Sequence, residues 1–347
     1  MGKSIIDLGS VTTIGLDLAK QVFQVHGIDA AGRVVAAKAV TRNKLLALFA
    51  SLPPCLVGME ACGSAHYWAR ELIRLGRDAR MMPPAYVKPY VRRQKNDAAD
   101  AAAICEAVTR PSMRFVSVRT VENQAVLMHH KAREMLVAQR TQILNGLRGH
   151  LAEIGVIAPQ GHKSAYDLAK LIEAGDDTIP SAVCEALAPL VRQLRAVEEE
   201  IDHCDRTIMK MAHADQAVRR PMSIPGIGPI TASALVASVQ DASGFSGPRE
   251  FAAFLGLTPK QNSSGGKQKL GHISKMGNKY LRKLLVVGAH AVLFHRHRHQ
   301  DMLRSWARKL IETKPFNLVA VALANKMARI AFAILRSKAS YQPIQAR

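Results

Sequence analysis

Cysteine is scarce and unpatterned in this chain. Its five residues, Cys55, Cys62, Cys105, Cys184 and Cys204, are odd in number and never form a C-x-x-C pair. That spacing argues against a zinc cluster and for a reducing compartment. Aromatics are few, 5% with two Trp, which is poor in stacking platforms for a protein that reads single strands by their bases. Long apolar runs are missing too. Ile230 to Val239 and Asn317 to Asn325 fall short of the roughly 18 residues a spanning helix needs. Asp7 interrupts any signal-peptide core at the start, and Ile6 breaks the myristoylation pattern. The expectation is a cytoplasmic protein without a membrane partner, nucleoid-associated when bound to DNA. Fixed-period repeats and low-complexity tracts are not apparent.

Acids are the last shortage, and it has the largest consequence. Asp and Glu number 27 against 48 Lys and Arg, a net charge of +21 and a pI near 10.1. Such an excess favours a polyanionic partner, and with membranes set aside that partner is nucleic acid. Apolar residues at 48% exclude wholesale disorder, and 347 residues suggest about two domains at roughly 150 residues each.

The first hundred residues alternate between strand-like and helix-like patterns. Thr13 to Leu18, Val22 to Ile28 and Arg33 to Val40 read as three strands in a meander. A helix over Asn43 to Ser51, a strand over Cys55 to Glu60, a helix over Ala65 to Leu75 and a strand over Asp78 to Met82 follow. Ala98 to Thr109 reads as a further helix. Three strands and then β-α-β-α is the order of a ribonuclease-H-like domain. The middle is helical. Glu122 to Ile154 carries apolar residues at Ala125, Met128, Ala132 and Met135, and Pro159 to Thr178 reads as a linker with a short helix. Leu187, Leu190, Leu194, Val197, Ile201, Cys204, Ile208 and Met211 form an a/d seam. It suits either an intrachain hairpin with the first long helix or a coiled coil between chains. From Arg219 a small basic α domain begins. The expected class is α/β plus α, divided at 10–115, 116–218 and 219–340.

Four acids occupy suggestive places. Asp17 ends the first strand, Glu60 ends the fourth, and Asp97 and Asp100 lie three apart on one helix face. Hard oxygen donors of this kind suit Mg²⁺, and two such ions can clamp a phosphoryl transfer. Taken singly, each acid also reads as a strand end, a helix cap or a solvated helical residue. Ile224 to Ala232, with Gly226 and Gly228, looks like the hairpin of a helix-hairpin-helix module, whose backbone approaches phosphate. Lys267, Lys269, Lys275, Lys279, Arg282 and Lys283 form a basic stripe with no intervening acid. Ser263 and Ser264 precede it in a glycine-rich loop. His295-Arg296-His297-Arg298-His299 reads as a basic nucleic-acid contact, because alternation spreads its imidazoles around a helix.

These motifs together resemble a known family. Thr13 to Lys20, Gly58 to His66, Lys95 to Ala101, Ser223 to Gly228, Phe254 to Pro259 and Ser264 to Asn278 are similar, in order, to the DEDD transposases of the insertion-sequence-110 family. The Glu60 and Ser264 motifs look most like the subgroup of insertion sequence 1111. The resemblance implies a RuvC-like N-terminal domain with Asp17, Glu60, Asp97 and Asp100 as a tetrad that binds two Mg²⁺ ions. It implies a C-terminal serine nucleophile at Ser264, a covalent 5′-phosphoserine intermediate and strand rejoining. It further implies an element-encoded guide RNA pairing with donor and target DNA, and work as dimers that pair into tetramers. Two other functions fit the bare residues: a RuvC-like junction nuclease using water, and a catalytically silent architectural binder.

Overall fold

The computed structural model describes residues 8–91, 96–159, 161–298 and 301–343. The reading of Met1 to Asp7, Lys95 of the third motif and His299 lie outside the described residues. The chain divides into two compact units, Met1–Val121 and Glu122–Arg347.

The first unit is a five-stranded sheet with helices. Its strands are β1 (Thr13–Asp17), β2 (Val22–Ile28), β3 (Val34–Thr41), β4 (Leu56–Glu60) and β5 (Asp78–Met82). Between them run α1 (Leu45–Ala50) and α2 (Ala65–Arg74), and α3 (Pro84–Val87) and α4 (Asp97–Val108) follow. The order β3-β2-β1-β4-β5 places the meander on one side and the parallel strands β4 and β5 on the other. Thr13 to Leu16 are all buried, as befits a strand covered on both faces. Phe23, Leu45, Phe49, Val57 and Trp68 complete this core.

Two glycines let a helix lie directly on that sheet. A Cβ at Gly15 of β1 would stand 2.0 Å from the Ala101 carbonyl and 2.4 Å from the Cys105 nitrogen of α4. A Cβ at Gly58 of β4 would stand 2.7 Å from Val108. Glycine inside a strand marks close backbone approach, and here it seats α4 over β1 and β4.

The second unit is mostly helical. It holds α5 (Val121–Ala152, starting at the boundary), α6 (His162–Ala174), α7 (Ser181–Ala214), α8 (Gln216–Met222), α9 (Pro229–Ser238) and α10 (Pro248–Phe254). A two-stranded ribbon, β6 (Pro259–Gln261) and β7 (Leu270–Ile273), precedes α11 (Lys279–Phe294), α12 (Met302–Ile311) and α13 (Phe316–Ser337). The expected linker with a short helix at Pro159 to Thr178 holds the 13-residue helix α6. The a/d seam of α7 is filled within the chain: Leu187, Leu194 and Val197 pack on Leu144, Leu147 and Leu151 of α5 and Leu168 and Ile172 of α6. Of the two arrangements the spacing allowed, this is the intrachain one.

Polar ties run among the long helices as well. His130 of α5 is buried between the Tyr280 hydroxyl at Nδ1 and the Ser233 hydroxyl at Nε2, both at 3.1 Å. Burial, with Arg133 nearby, pushes its pKa down to about 4. Arg133 forms a two-pronged ion pair with Asp205 of α7.

One helix corrects the membrane argument drawn from apolar runs. Among the described residues, α13 alone is long and apolar enough to cross a bilayer by length and composition, with 22 residues and an 18-residue stretch of mean hydropathy 1.8. Lys326 and Arg329 interrupt its apolar run in the sequence, so the run looks shorter than the helix. Its inner face, including Val319, Leu323, Met327 and Ala331, fills the core with α9, α10 and α11. It reads as the central helix of this unit.

Candidate active site

The close seat of α4 decides where its acids go. Asn96 caps the helix, its side-chain oxygen accepting the Ala99 N–H at 2.8 Å, so Asp97 and Asp100 fall in the first turn. The partial positive charge at a helix start favours carboxylates there. Asp17 emerges at the end of β1, and the ligand atoms of Asp17, Asp97 and Asp100 all lie within 4.8 Å of one another. Three carboxylates this close repel unless a cation joins them, and an all-oxygen set suits a hard divalent ion. Glu60 ends β4, beside β1 in the parallel register that pairs Leu16 with Met59. It stands outside the 4.8 Å group.

His66, in the same motif as Glu60, has a structural task. Its Nδ1 accepts the Arg119 N–H at 3.2 Å, tying α2 to the segment after α4. Burial and the nearby Arg119 and Arg70 push its pKa down to about 4.

The serine pair sits in the second unit at the tip of the ribbon. Gly265 (φ 56°) and Gly266 (φ 75°) both take left-handed backbone, as a type I′ turn demands. The Lys267 N–H donates to the Ser264 carbonyl at 3.1 Å and closes the turn. Just below it, the Ser263 hydroxyl accepts the Lys269 N–H at 3.1 Å. Ser263 is thus used to build the ribbon, whereas the exposed Ser264 hydroxyl has no hydrogen-bond partner among the described residues.

The base of the ribbon is clamped. Gly256 (φ 68°) and Gly277 (φ 72°) lie so close to neighbouring backbone that a Cβ would meet the Met276 carbonyl at 2.2 Å and the Phe254 carbonyl at 1.9 Å, respectively. Arg282 Nη1 donates to the Leu255 and Met276 carbonyls at 2.9 and 2.8 Å. Arg282, a candidate phosphate contact by charge, therefore spends these donors on the clamp. Lys267, Lys269, Lys275, Lys279 and Lys283 are exposed. His295 to Arg298 form a turn after α11.

The glycine turn between α8 and α9 has two faces. At Gly226 (φ 85°) a Cβ would meet the Gly288 carbonyl at 2.7 Å, so this glycine seats α11. Gly228 is open on its side-chain face and begins α9 without a side-chain cap, leaving the helix start accessible to an anion.

Comparison with known proteins decides the family. A profile of DEDD transposases of the IS110 type matches residues 14–156, and one described as transposase IS116/IS110/IS902 family matches 218–304. A Pseudomonas aeruginosa protein named "Probable family 20 transposase" is 47% identical over 336 residues, 96% of this chain and 99% of its own length. The chain belongs to the IS110 family of transposases. The transposase of element IS1111A from Coxiella burnetii is 40% identical over 333 residues, covering 96% of this chain and 92% of the relative. That of IS1328 from Yersinia enterocolitica is 37% identical over 325 residues, 94% and 97%. As an insertion-sequence transposase the protein acts on DNA, and its DEDD domain fits divalent-metal use.

Gly15 and Gly58 escaped the sequence reading as site residues. The signal was there in Thr13-Ile14-Gly15-Leu16-Asp17 and Leu56-Val57-Gly58-Met59-Glu60, each a glycine inside an apolar strand two residues before an acid.

Proposed function

We propose that this transposase cuts and rejoins DNA with Asp17, Glu60, Asp97 and Asp100 as the metal-holding tetrad and Ser264 as the nucleophile. The observation that carries the reading is the meeting of Asp17, Asp97 and Asp100 within 4.8 Å at the end of β1, beside the strand that ends in Glu60. Mg²⁺ suits the set, two ions per site, and when bound supplies the positive charge that a scissile phosphate needs.

The protein's own groups do the remainder. Ser264 Oγ attacks phosphorus, the Oγ–P bond forms, the P–O3′ bond breaks, and the departing 3′ oxygen takes up a proton. The 5′ end is then held as a phosphoserine ester, and a 3′-hydroxyl from the exchanged strand reverses the step and frees the serine. An exposed hydroxyl spared from structural hydrogen bonding supports the assignment to Ser264 rather than Ser263. Gly226 and Gly228 at the helical hairpin, with Lys267, Lys269, Lys275, Lys279, Arg282 and Lys283, form the nucleic-acid face, Gly226 and Arg282 by shaping it. The functional division is a catalytic domain over 10–115, a helical oligomerisation region over 116–218 and a serine-bearing domain over 219–340.

Donor and target DNA are matched through an element-encoded guide RNA, and the working form is a homodimer that assembles to a tetramer on nucleic acid. A chain rich in positive charge and poor in aromatic base readers fits recognition by pairing. Sequencing RNA that co-purifies with the protein tests this. The expected result is a transcript from the element's flank with loops complementary to both DNAs; protein active in strand exchange after complete RNA removal would refute it.

A further inference from the structure

We infer that the long groove along the outer face of α13 binds an unpaired nucleic-acid strand beside the serine ribbon. The inference rests on the reading that DNA is opened at the ribbon. The cavity is about 1330 Å³ and runs along α13 from Asn317 to Ser337. At a rise of 1.5 Å per residue that is about 30 Å of helix, enough for several nucleotides.

Composition indicates the occupant. The floor is apolar, with Leu318, Val321, Ala322 and Ala333 among its residues. Lys275, Lys326 and Arg329 line the same space, and none of its lining residues is an acid. Apolar surface beside unopposed cations suits a single strand, whose bases leave water while its phosphates meet charge. Trp306 and Tyr341 also line the groove, two of only eight Trp and Tyr in the chain. Lys326 Nζ stands 4.4 Å from the Trp306 ring centroid, so a cation and an aromatic ring meet at one wall of the groove.

Position supplies the second argument. Pro259 of β6 and Gly271, His272 and Ile273 of β7 form part of the groove wall. These are the strands whose connecting turn carries Ser264, so a strand end released at the serine would have an adjacent place to rest while unpaired. The proposed occupant is therefore an opened strand in preference to duplex.

The test uses the full-length protein and a fluorescent oligothymidylate of twelve residues, with a duplex of equal length for comparison. Ala333→Glu puts an acid on the exposed part of the floor, and Lys309→Glu makes a larger charge change on α12 outside the groove. Ala333→Glu is expected to weaken oligothymidylate binding at least tenfold and duplex binding less than twofold, with an unchanged melting temperature. Lys309→Glu is expected to affect both probes alike. Photo-crosslinking of a 4-thiothymidine version of the strand is expected to mark peptides containing Trp306 or Tyr341. Unchanged single-strand binding in folded Ala333→Glu overturns the proposal, as does a variant that loses self-association instead, which would make the groove a protein interface. Covalent adduct formation at Ser264 is scored separately, so loss of the serine chemistry and loss of the strand site are distinguishable.

Discussion

The carboxylate cluster of the first unit and the serine ribbon of the second differ in how their backbones are held. Asp17, Asp97 and Asp100 stand on a buried strand and a helix pressed together at Gly15, where even one methyl group has no room. Ser264 stands on a ribbon whose residues are exposed from Pro259 to His272, fixed by its own ladder and by the clamp at its base. Metal-binding acids need a preset geometry. An isolated two-stranded ribbon is marginal in water, so this one depends on the clamp at its base. Charge divides in the same spirit. Residues 122–218 hold 10 bases and 14 acids, whereas 219–347 hold 21 bases and 4 acids. The long helices are thus not part of the general positive excess, which is concentrated in the serine-bearing region.

The contrast can be broken from either side. Asp17→Asn should have the largest effect, lowering DNA cleavage by about a thousandfold with little change in melting temperature, since it removes charge from a site while keeping its shape. Retained cleavage in a gel assay would detach the cluster from the chemistry.

Acid should then test the scaffolds beneath the two sites. His66 and His130 both have pKa values lowered to about 4 from 6.5. Each stays neutral when folded and takes up a proton more readily when unfolded. Their stabilising effect is therefore present above pH 6.5, is lost as pH falls from 6.5 to 4, and is constant below. For the buried His130 the loss is up to about 3 kcal/mol. Urea titrations across this range should show it, and His130→Gln should flatten the slope.

Gly15→Ala should cost about 1–3 kcal/mol through overpacking and should reduce cleavage by shifting α4 and its two acids. Gly63→Ala, where a Cβ meets nothing within 4 Å, is the matched comparison and should leave both unchanged. Equal behaviour of the two variants would mean that the close seat of α4 does not set the site. Ser263→Ala should have the smallest effect. Loss of one exposed hydrogen bond, about 1 kcal/mol at most, should slow adduct formation less than tenfold.

Much of this was legible in the residues. Alternating patterns located the five strands within about a residue, and strand order put Asp17 beside Glu60. Periodicity shows which face of α7 is apolar but leaves open whether α5 or a second chain covers it, and it gives no sign that α6 shares in the cover, so the choice needed three dimensions. Positive charge likewise says nothing of direction: Arg282 joins the basic stripe in sequence yet turns part of its guanidinium to the ribbon's base. Gly226 has the right motif for phosphate, while its backbone contacts are with Gly288.

The central claim, that acids in one unit and a serine in the other serve one reaction, is tested most directly by trapping protein covalently joined to labelled DNA in the presence of Mg²⁺. The account predicts an adduct in the wild type and in Ser263→Ala, none in Ser264→Ala, and about a thousandfold less in Asp17→Asn. Strand cleavage by Ser264→Ala at the wild-type rate, without any adduct, would contradict it and leave a nuclease that uses water.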